Sequence, residues 1–161
     1  QTLPYPNRAK PLFFWDVEGR ESVSSKGVSF QNLAEGLAVI QLIQLLVARK
    51  IKKSDIGVIT SYAGQKQLII NLLVKSNLKE VEAATVNTFQ GREKDYIIFS
   101  CVRSNPSHNV GFLSNPRRLN VAITRARFGL FVIGNRQMMI KDDLKAYMDY
   151  HVDLNTVIKN L

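Results

Sequence analysis

The chain has 161 residues, of which 22 are Lys or Arg and 13 are Asp or Glu, for a formal charge of +9. That length fits one domain, and 45% hydrophobic with 22% charged residues excludes a disordered chain or a coiled coil. A single cysteine, Cys101, excludes an internal disulfide framework and a cysteine-based zinc site, while the positive charge points to a polyanionic partner, nucleic acid first.

The first residue is Gln1 rather than Met, which suggests an excised domain or a processed product. Residues 1–10 hold two prolines and two basic residues and read as a lead-in or linker, leaving 11–161 as the domain. They contain no signal-peptide h-region, and no apolar run in the chain approaches the ~18 residues of a membrane span. Leu12 to Val17 is a short apolar, aromatic run that predicts a strand, with Phe13, Phe14 and Trp15 as core residues. Glu18 to Ser29 is polar, with Gly19 and Gly27, and predicts a loop. Asn32 with Glu35 three residues on resembles a capping box. It opens a helix in which Leu33, Leu37, Ile40, Ile43 and Val47 recur at helical spacing. Arg49, Lys50, Lys52 and Lys53 follow, placed to complement the helix dipole.

The alternation then repeats. Ile56 to Thr60 predicts a buried strand, and Gly64 to Ser76 a helix with Leu68, Ile69, Leu72 and Leu73 on one face. Val81 to Val86, Tyr96 to Val102 and Leu130 to Ile133 predict further strands. The last two are nearly all apolar, as strands covered on both faces should be, with Phe99 in the core and Cys101 a buried, inert thiol. Asn115 and Pro116 suit an N-cap and first helical position, and a last helix is expected from about Asp142 to Tyr150. Strands alternating with helices predict an α/β layered domain with a mainly parallel central sheet. Ligands of such sheets meet the loops at the carboxyl ends of the strands, which directs attention to 60–66, 85–93 and 124–127.

Several chemistries are missing. There is no GxxxxGK[ST] and no GxGxxG, so the chain does not carry a main phosphate cradle itself. His108 and His151 lack partners at metal-ligand spacing and read as surface residues, and no Asn-x-Ser/Thr sequon is present. Three segments remain. In Thr85-Val86-Asn87-Thr88-Phe89-Gln90-Gly91-Arg92-Glu93, small hydroxyl and amide side chains suit phosphate or sugar contacts. Gly91 permits close backbone approach, and Glu93 is able to accept from a ribose diol. The same residues would also suit an ordinary strand-to-loop turn. In Pro116 to Arg127 a helix would gather Leu119, Ala122, Ile123 and Ala126 on one face. Arg118 and Arg125, seven residues apart, then fall within about 20° of each other on its flank. Guanidinium forks there suit phosphate oxygens, or the pair belongs to a solvated face with acidic neighbours. Thr60-Ser61-Tyr62-Ala63-Gly64-Gln65-Lys66 joins hydroxyls and a Gly to a helix N-terminus, a site for a backbone phosphate, or an N-cap with a packed Tyr.

Together the three segments resemble motifs IV, V and VI of superfamily 1 helicases, in that order. The wording is similar to the up-frameshift helicases of nonsense-mediated mRNA decay, the regulators of nonsense transcripts. It rests on IGVITSYAGQK (56–66), TVNTFQGREKDYIIFSCVRSN (85–105) and GFLSNPRRLNVAITRARFGLFVIGN (111–135), with KPLFFW and SSKGVSF also alike. The resemblance implies a RecA-like three-layer α/β fold, a mainly parallel central sheet flanked by helices. It implies the second of two such domains in an ATP-dependent helicase. The first, outside this chain, would hold the phosphate loop, the Mg²⁺ ligands and the adenine contacts, so that no cofactor is expected on this domain alone. By the same resemblance Arg125 is the arginine finger of motif VI, with Arg118 also on the ATP side. Glu93 contacts ribose, and Gln90 and Gly91 border the nucleotide. Thr60, Ser61, Tyr62, Thr85, Asn87 and Thr88 contact a single-stranded RNA or DNA backbone. Ser61 stands where the family often has Pro, and Asn87 where it often has Asp. The resemblance further implies ATP hydrolysis, 5′-to-3′ translocation, mRNA-decay partners, a cytoplasmic and secondarily nuclear location, and no membrane. A basic nucleic-acid-binding module without an ATPase role is the alternative, although such a binder has no need of paired arginines beside the Glu93 loop. An inactive scaffold domain that binds protein partners is a third reading, against which Glu93 and Arg125 count.

Overall fold

The computed structural model describes residues 12–25, 27, 29–89, 92–107, 111, 121, 124–138 and 152–153. The lead-in 1–10, His108, His151, the helix start at Asn115 and Pro116 and the helix expected at 142–150 lie outside them. The chain forms strand β1 (Leu12–Asp16), a hairpin of β2 (Ser22–Val23) and β3 (Phe30–Gln31), helix α1 (Leu33–Ala48), strand β4 (Ile56–Thr60) and helix α2 (Ala63–Lys75). Strands β5 (Glu82–Thr85), β6 (Lys94–Ser100), β7 (Ala126–Gly134) and β8 (Val152–Asp153) follow. Six strands build one sheet in the order β5-β4-β6-β7-β1-β8, and every pairing in it is parallel. The fold is therefore α/β with a parallel central sheet, as the alternation of elements predicted.

The core follows from strands buried on both faces. All five residues of β4 are buried. Ile59, Ile97, Phe99, Leu130 and Val132 point to one side with Phe14 and Phe89. Val58, Ile98, Phe131 and Ile133 point to the other, beneath Ile43 and Leu42 of α1 and Ile69 and Leu73 of α2. Both described α-helices thus pack on one face. The opposite face is covered by Val86, Phe89, Met138 and Val121. Phe13 and Trp15 are partly buried against the helical side, and Cys101 is buried as expected.

Four sequence expectations change. The loop expected over 18–29 contains strand β2, which pairs antiparallel with β3 just beyond it. Leu33 and Leu37, expected on the buried stripe of α1, are 54% and 53% exposed, because the helix is apolar nearly all round and turns Val39, Leu42, Ile43 and Leu46 inward instead. The basic residues after α1 lie beyond its last turn, Arg49 being the C-cap. Finally, Ala126 is not helical. The helix ends at Thr124–Arg125 and Ala126 opens β7, where it pairs with Lys94 and is buried in the sheet.

Candidate functional site

Register decides which loops share an edge. β4 and β5 end together, Thr60 opposite Thr85, so Ser61, Tyr62, Asn87 and Thr88 lie at the carboxyl edge of the sheet. Lys94 and Ala126 pair at the start of β6 and β7, so Glu93 and Arg125 enter side by side at the amino edge. The expectation that 60–66, 85–93 and 124–127 all line the carboxyl edge is thereby corrected. The segment 86–93 begins at one edge and ends at the other, and 124–127 belongs to the amino edge. Gln90, Gly91 and Arg118 lie outside the described residues.

At the amino edge the charges sort into engaged and unengaged groups. Arg92 contacts the Glu82 carboxylate and donates from Nη2 to the Thr88 carbonyl at 2.7 Å. Lys94 Nζ donates to the Ser54 carbonyl at 2.9 Å and lies 3.7 Å from Glu82 Oε2. Asp95 accepts from Arg127 Nε at 2.8 Å. Glu93 is exposed and, among the described residues, takes no hydrogen bond or ion pair. Arg125 is half-buried, and its Nε is buried with no partner there. Buried polar atoms without partners are rare, because each costs roughly 1–3 kcal/mol. Arg125 Nε is such an atom, and Glu93 precedes the neighbouring strand.

The segment linking the edges is anchored by Phe89, which is fully buried. Its ring lies against Gly57 of β4, where a β-carbon would come within 3.0 Å of Phe89 Cζ. The Arg92 guanidinium covers the same ring at 5.2 Å.

At the carboxyl edge Thr85 and Thr88 hold each other. Their hydroxyls are 3.0 Å apart, and Thr85 N donates to Thr88 Oγ1 at 3.1 Å. Asn87 is exposed between them. Thr60 is buried, with its Oγ1 3.5 Å from Tyr62 N, and Ser61 Oγ is a buried hydroxyl without a partner among the described residues. Tyr62 precedes α2 with an extended backbone and supplies no side-chain cap. Its ring is buried, edge-on to Phe30 at 5.7 Å. Gly64 N donates to Ser29 Oγ at 3.0 Å, so the hairpin covers part of the α2 N-terminus.

Two groups behind this edge were not singled out from sequence. Arg103 stacks over Phe30 at 4.0 Å and donates from Nε to both Glu21 oxygens at 3.1 and 3.2 Å and from Nη1 to the Tyr62 hydroxyl at 3.4 Å. Burial works against its charge, but the Tyr62 hydroxyl and the Glu21 carboxylate more than offset that and raise its pKa. The second is a buried knot on α1. Asn32 caps the helix by accepting from Glu35 N at 3.2 Å, as the sequence predicted. Its backbone forms a paired exchange with the Gln65 amide, at 2.8 and 3.0 Å. The Glu35 carboxylate accepts from Ser100 Oγ at 2.8 Å and Val102 N at 2.9 Å. Asn32 Nδ2 donates to Val102 O at 3.0 Å. Val102 has φ 72, a rare conformation for a β-branched residue, and Arg103 N closes a three-residue turn onto Cys101 O at 2.8 Å. Glu35 and Asn32 hold both polar groups of that strained residue, and the turn ends β6 before Val102 and delivers Arg103 to Tyr62. Burial pushes the Glu35 carboxyl up to about 8, although bonds from Val102 and Ser100 pull it down. Burial, with the Glu35 charge, also raises the Cys101 thiol well above its ordinary value. The capping pattern was the one signal in the sequence for this knot, since its other partners lie 13 to 70 residues away.

Among the described residues no group of three or more His, Cys, Asp or Glu could hold a metal ion, and no helix is long and apolar enough to cross a membrane. A family model described as an AAA domain matches residues 2–137. The chain is 50% identical over 147 residues to regulator of nonsense transcripts 1 of Caenorhabditis elegans, covering 88% of this chain and 14% of that protein. It is 44% identical over 155 residues to the regulator of nonsense transcripts 1 homolog of Neurospora crassa, with 92% and 14% covered. To the ATP-dependent helicase NAM7 of Saccharomyces cerevisiae it is 43% identical over 155 residues, with 92% and 16% covered. The chain spans between 11% and 17% of the length of these and similar curated relatives. Among solved structures, the C-terminal domain of a possible DNA helicase from Lactobacillus plantarum aligns with a TM-score of 0.54 at 10% identity, covering 89% of this chain and 87% of that one. At that identity the likeness speaks to the fold.

Proposed function

The chain belongs to the AAA domain family, and on that premise we propose that it is the second motor domain of an ATP-dependent superfamily 1 helicase acting in nonsense-mediated mRNA decay. The observation that carries the reading is a partnerless buried Arg125 Nε and an unengaged Glu93 immediately before adjacent strands at one edge. Phosphoryl transfer requires positioning and charge neutralisation more than covalent help from the protein. Arg125 would donate to the γ-phosphate of ATP and Glu93 would accept from its ribose. Gln90, Gly91 and Arg118 would border the same nucleotide. ATP with Mg²⁺ would be held chiefly by the first RecA-like domain, so these side chains would act only when the two domains close.

The carboxyl edge would grip single-stranded RNA or DNA through Thr60, Ser61, Tyr62, Thr85, Asn87 and Thr88, with the exposed Asn87 and Thr88 best placed to reach a strand. Contacts to phosphate and sugar give little base specificity, as 5′-to-3′ translocation along any sequence needs. The segment 86–93 would couple the two edges, because Phe89 fixes its middle while its ends serve different ligands. The relatives' names describe a regulator of nonsense transcripts and an ATP-dependent helicase; on this reading mRNA-decay factors would be the partners and the cytoplasm, secondarily the nucleus, the location.

The test is made in the full-length protein. Arg125→Ala should lower ATP hydrolysis by ~10³–10⁵-fold while sparing RNA binding, and Glu93→Ala should weaken nucleotide affinity. Hydrolysis near the wild-type rate in the Arg125 variant rejects the finger role.

A further inference from the structure

The pairing of β6 with β7 is in step except at one place. Lys94 pairs with Ala126, but Tyr96 pairs with Gly129. Between these points β6 carries one residue and β7 two, so Asp95 stands opposite both Arg127 and Phe128. Such a bulge breaks the backbone ladder, bends its strand and is a recurrent means of re-aiming side chains beside a site. It lies immediately after Arg125, at the junction where the helix turn Thr124–Arg125 runs straight into β7.

What spans the broken stretch of ladder is a side-chain bond. Arg127 Nε donates to Asp95 Oδ1 at 2.8 Å. The two other cations in the run, Arg92 and Lys94, are both drawn to Glu82. Among the described residues Asp95 therefore has one cationic partner, and that partner sits two residues from Arg125. Arg125 itself has no partner on its Nε to fix its direction, so its aim is set by the backbone that carries it.

We propose that Asp95 is a positioning residue for Arg125: by holding Arg127 across the bulge, it fixes the direction in which the helix end presents the Arg125 guanidinium to the nucleotide. The inference rests on the reading of Arg125 as the residue that meets the γ-phosphate. The pair is exposed on the Arg127 side, 48% against 23% for Asp95, and such pairs contribute little to stability. Misplacing a reacting group by about 1 Å costs on the order of 10²-fold in rate. Loss of the pair should therefore be felt in turnover and hardly at all in folding.

The experiment uses the full-length protein with RNA present, measuring steady-state ATP hydrolysis, RNA affinity and thermal melting. Asp95→Asn should lower kcat about 10–100-fold, leave KM for ATP and Kd for RNA within about twofold, and move the melting temperature by no more than a few degrees. Asp95→Glu should recover most of the loss. Arg127→Gln should match Asp95→Asn, and the double variant should be no slower than either single one, because both changes remove the same bond. Wild-type kcat in Asp95→Asn, a rise in KM without a fall in kcat, multiplying losses in the double variant, or a large drop in melting temperature would each overturn the proposal. Arg125→Ala is run alongside. If it is inactive while Asp95→Asn is normal, the positioning role alone fails; if it hydrolyses ATP normally, the underlying assignment fails.

Discussion

Glu35 makes the stability of this domain depend on pH in an unusual direction. Its carboxyl is wholly buried and titrates near 8 in place of 4.5. An amide nitrogen carries two hydrogens, and those of Asn32 Nδ2 have shorter contacts to Gly19 O at 2.8 Å and Val102 O at 3.0 Å than to Glu35 Oε2 at 3.2 Å. Oε2 is therefore the less well served of the two oxygens, and burial keeps a proton on the carboxyl up to about pH 8. Between pH 4.5 and about 8 the folded chain keeps this proton and the unfolded chain releases it. Stability then falls as pH rises, by about 1.4 kcal/mol for each pH unit. The whole interval corresponds to roughly 5 kcal/mol, a large part of a typical domain's ~5–15 kcal/mol. Below this range both states are protonated and the contribution is fully present; above it both are ionised and the contribution is lost. Urea unfolding at pH 5, 6, 7, 8 and 9 measures the slope. Glu35→Gln removes the titrating group, so its stability should be flatter across pH 5–8 even if it starts lower, since its new amide would face Asn32 Nδ2. Parallel curves for the two proteins would refute the reasoning.

Three other outcomes are expected. Gly57→Ala places a β-carbon 3.0–3.1 Å from Phe89 Cζ, Ile97 Cδ1 and Lys94 Cγ, which should cost about 1–3 kcal/mol, read as a lower urea midpoint. Arg103→Lys keeps the charge but loses the separate Nε bonds to Glu21 and Nη1 bond to Tyr62 and the stack on Phe30, so it should destabilise by about 1–3 kcal/mol, whereas a truly interchangeable cation would leave the midpoint in place. Cys101, buried with a raised pKa, should resist alkylation by iodoacetamide near neutral pH in the native chain and react once denaturant is added.

The parts of the fold legible in the sequence were those whose pattern is local. IGVIT is a strand over the predicted residues Ile56–Thr60, and α2 begins and ends one residue from the predicted bounds. The inward face of α1 was not legible, since periodicity cannot choose a side when Leu33, Leu37, Val39, Leu42 and Ile43 surround the axis. Ala126 satisfied a helical apolar pattern equally well, and only its pairing with Lys94 makes it a strand residue. For the candidate site, the residue types of motifs IV, V and VI could be read, but not the edge each occupies, because strand order is a property of the folded sheet. Nor could spacing show that Arg92 and Lys94 engage Glu82 and Arg127 engages Asp95, while Glu93 and Arg125 Nε have no partner among the described residues.

The strand order also has a bearing on how the chain is made. β4, β5 and β6 lie within residues 56–100 and pair only among themselves until β7 exists. β1 is different, because both its neighbours come late: Leu12 waits for Leu130, 118 residues downstream. At ~5–20 residues per second of synthesis, Phe13, Phe14 and Trp15 would remain without sheet partners for roughly 6–24 s after they are joined to the chain. Of the strands described here, β1 is thus the earliest made and among the last installed. A nascent chain arrested before β7 would carry the aromatic β1 without either of its sheet partners, a ready substrate for a chaperone.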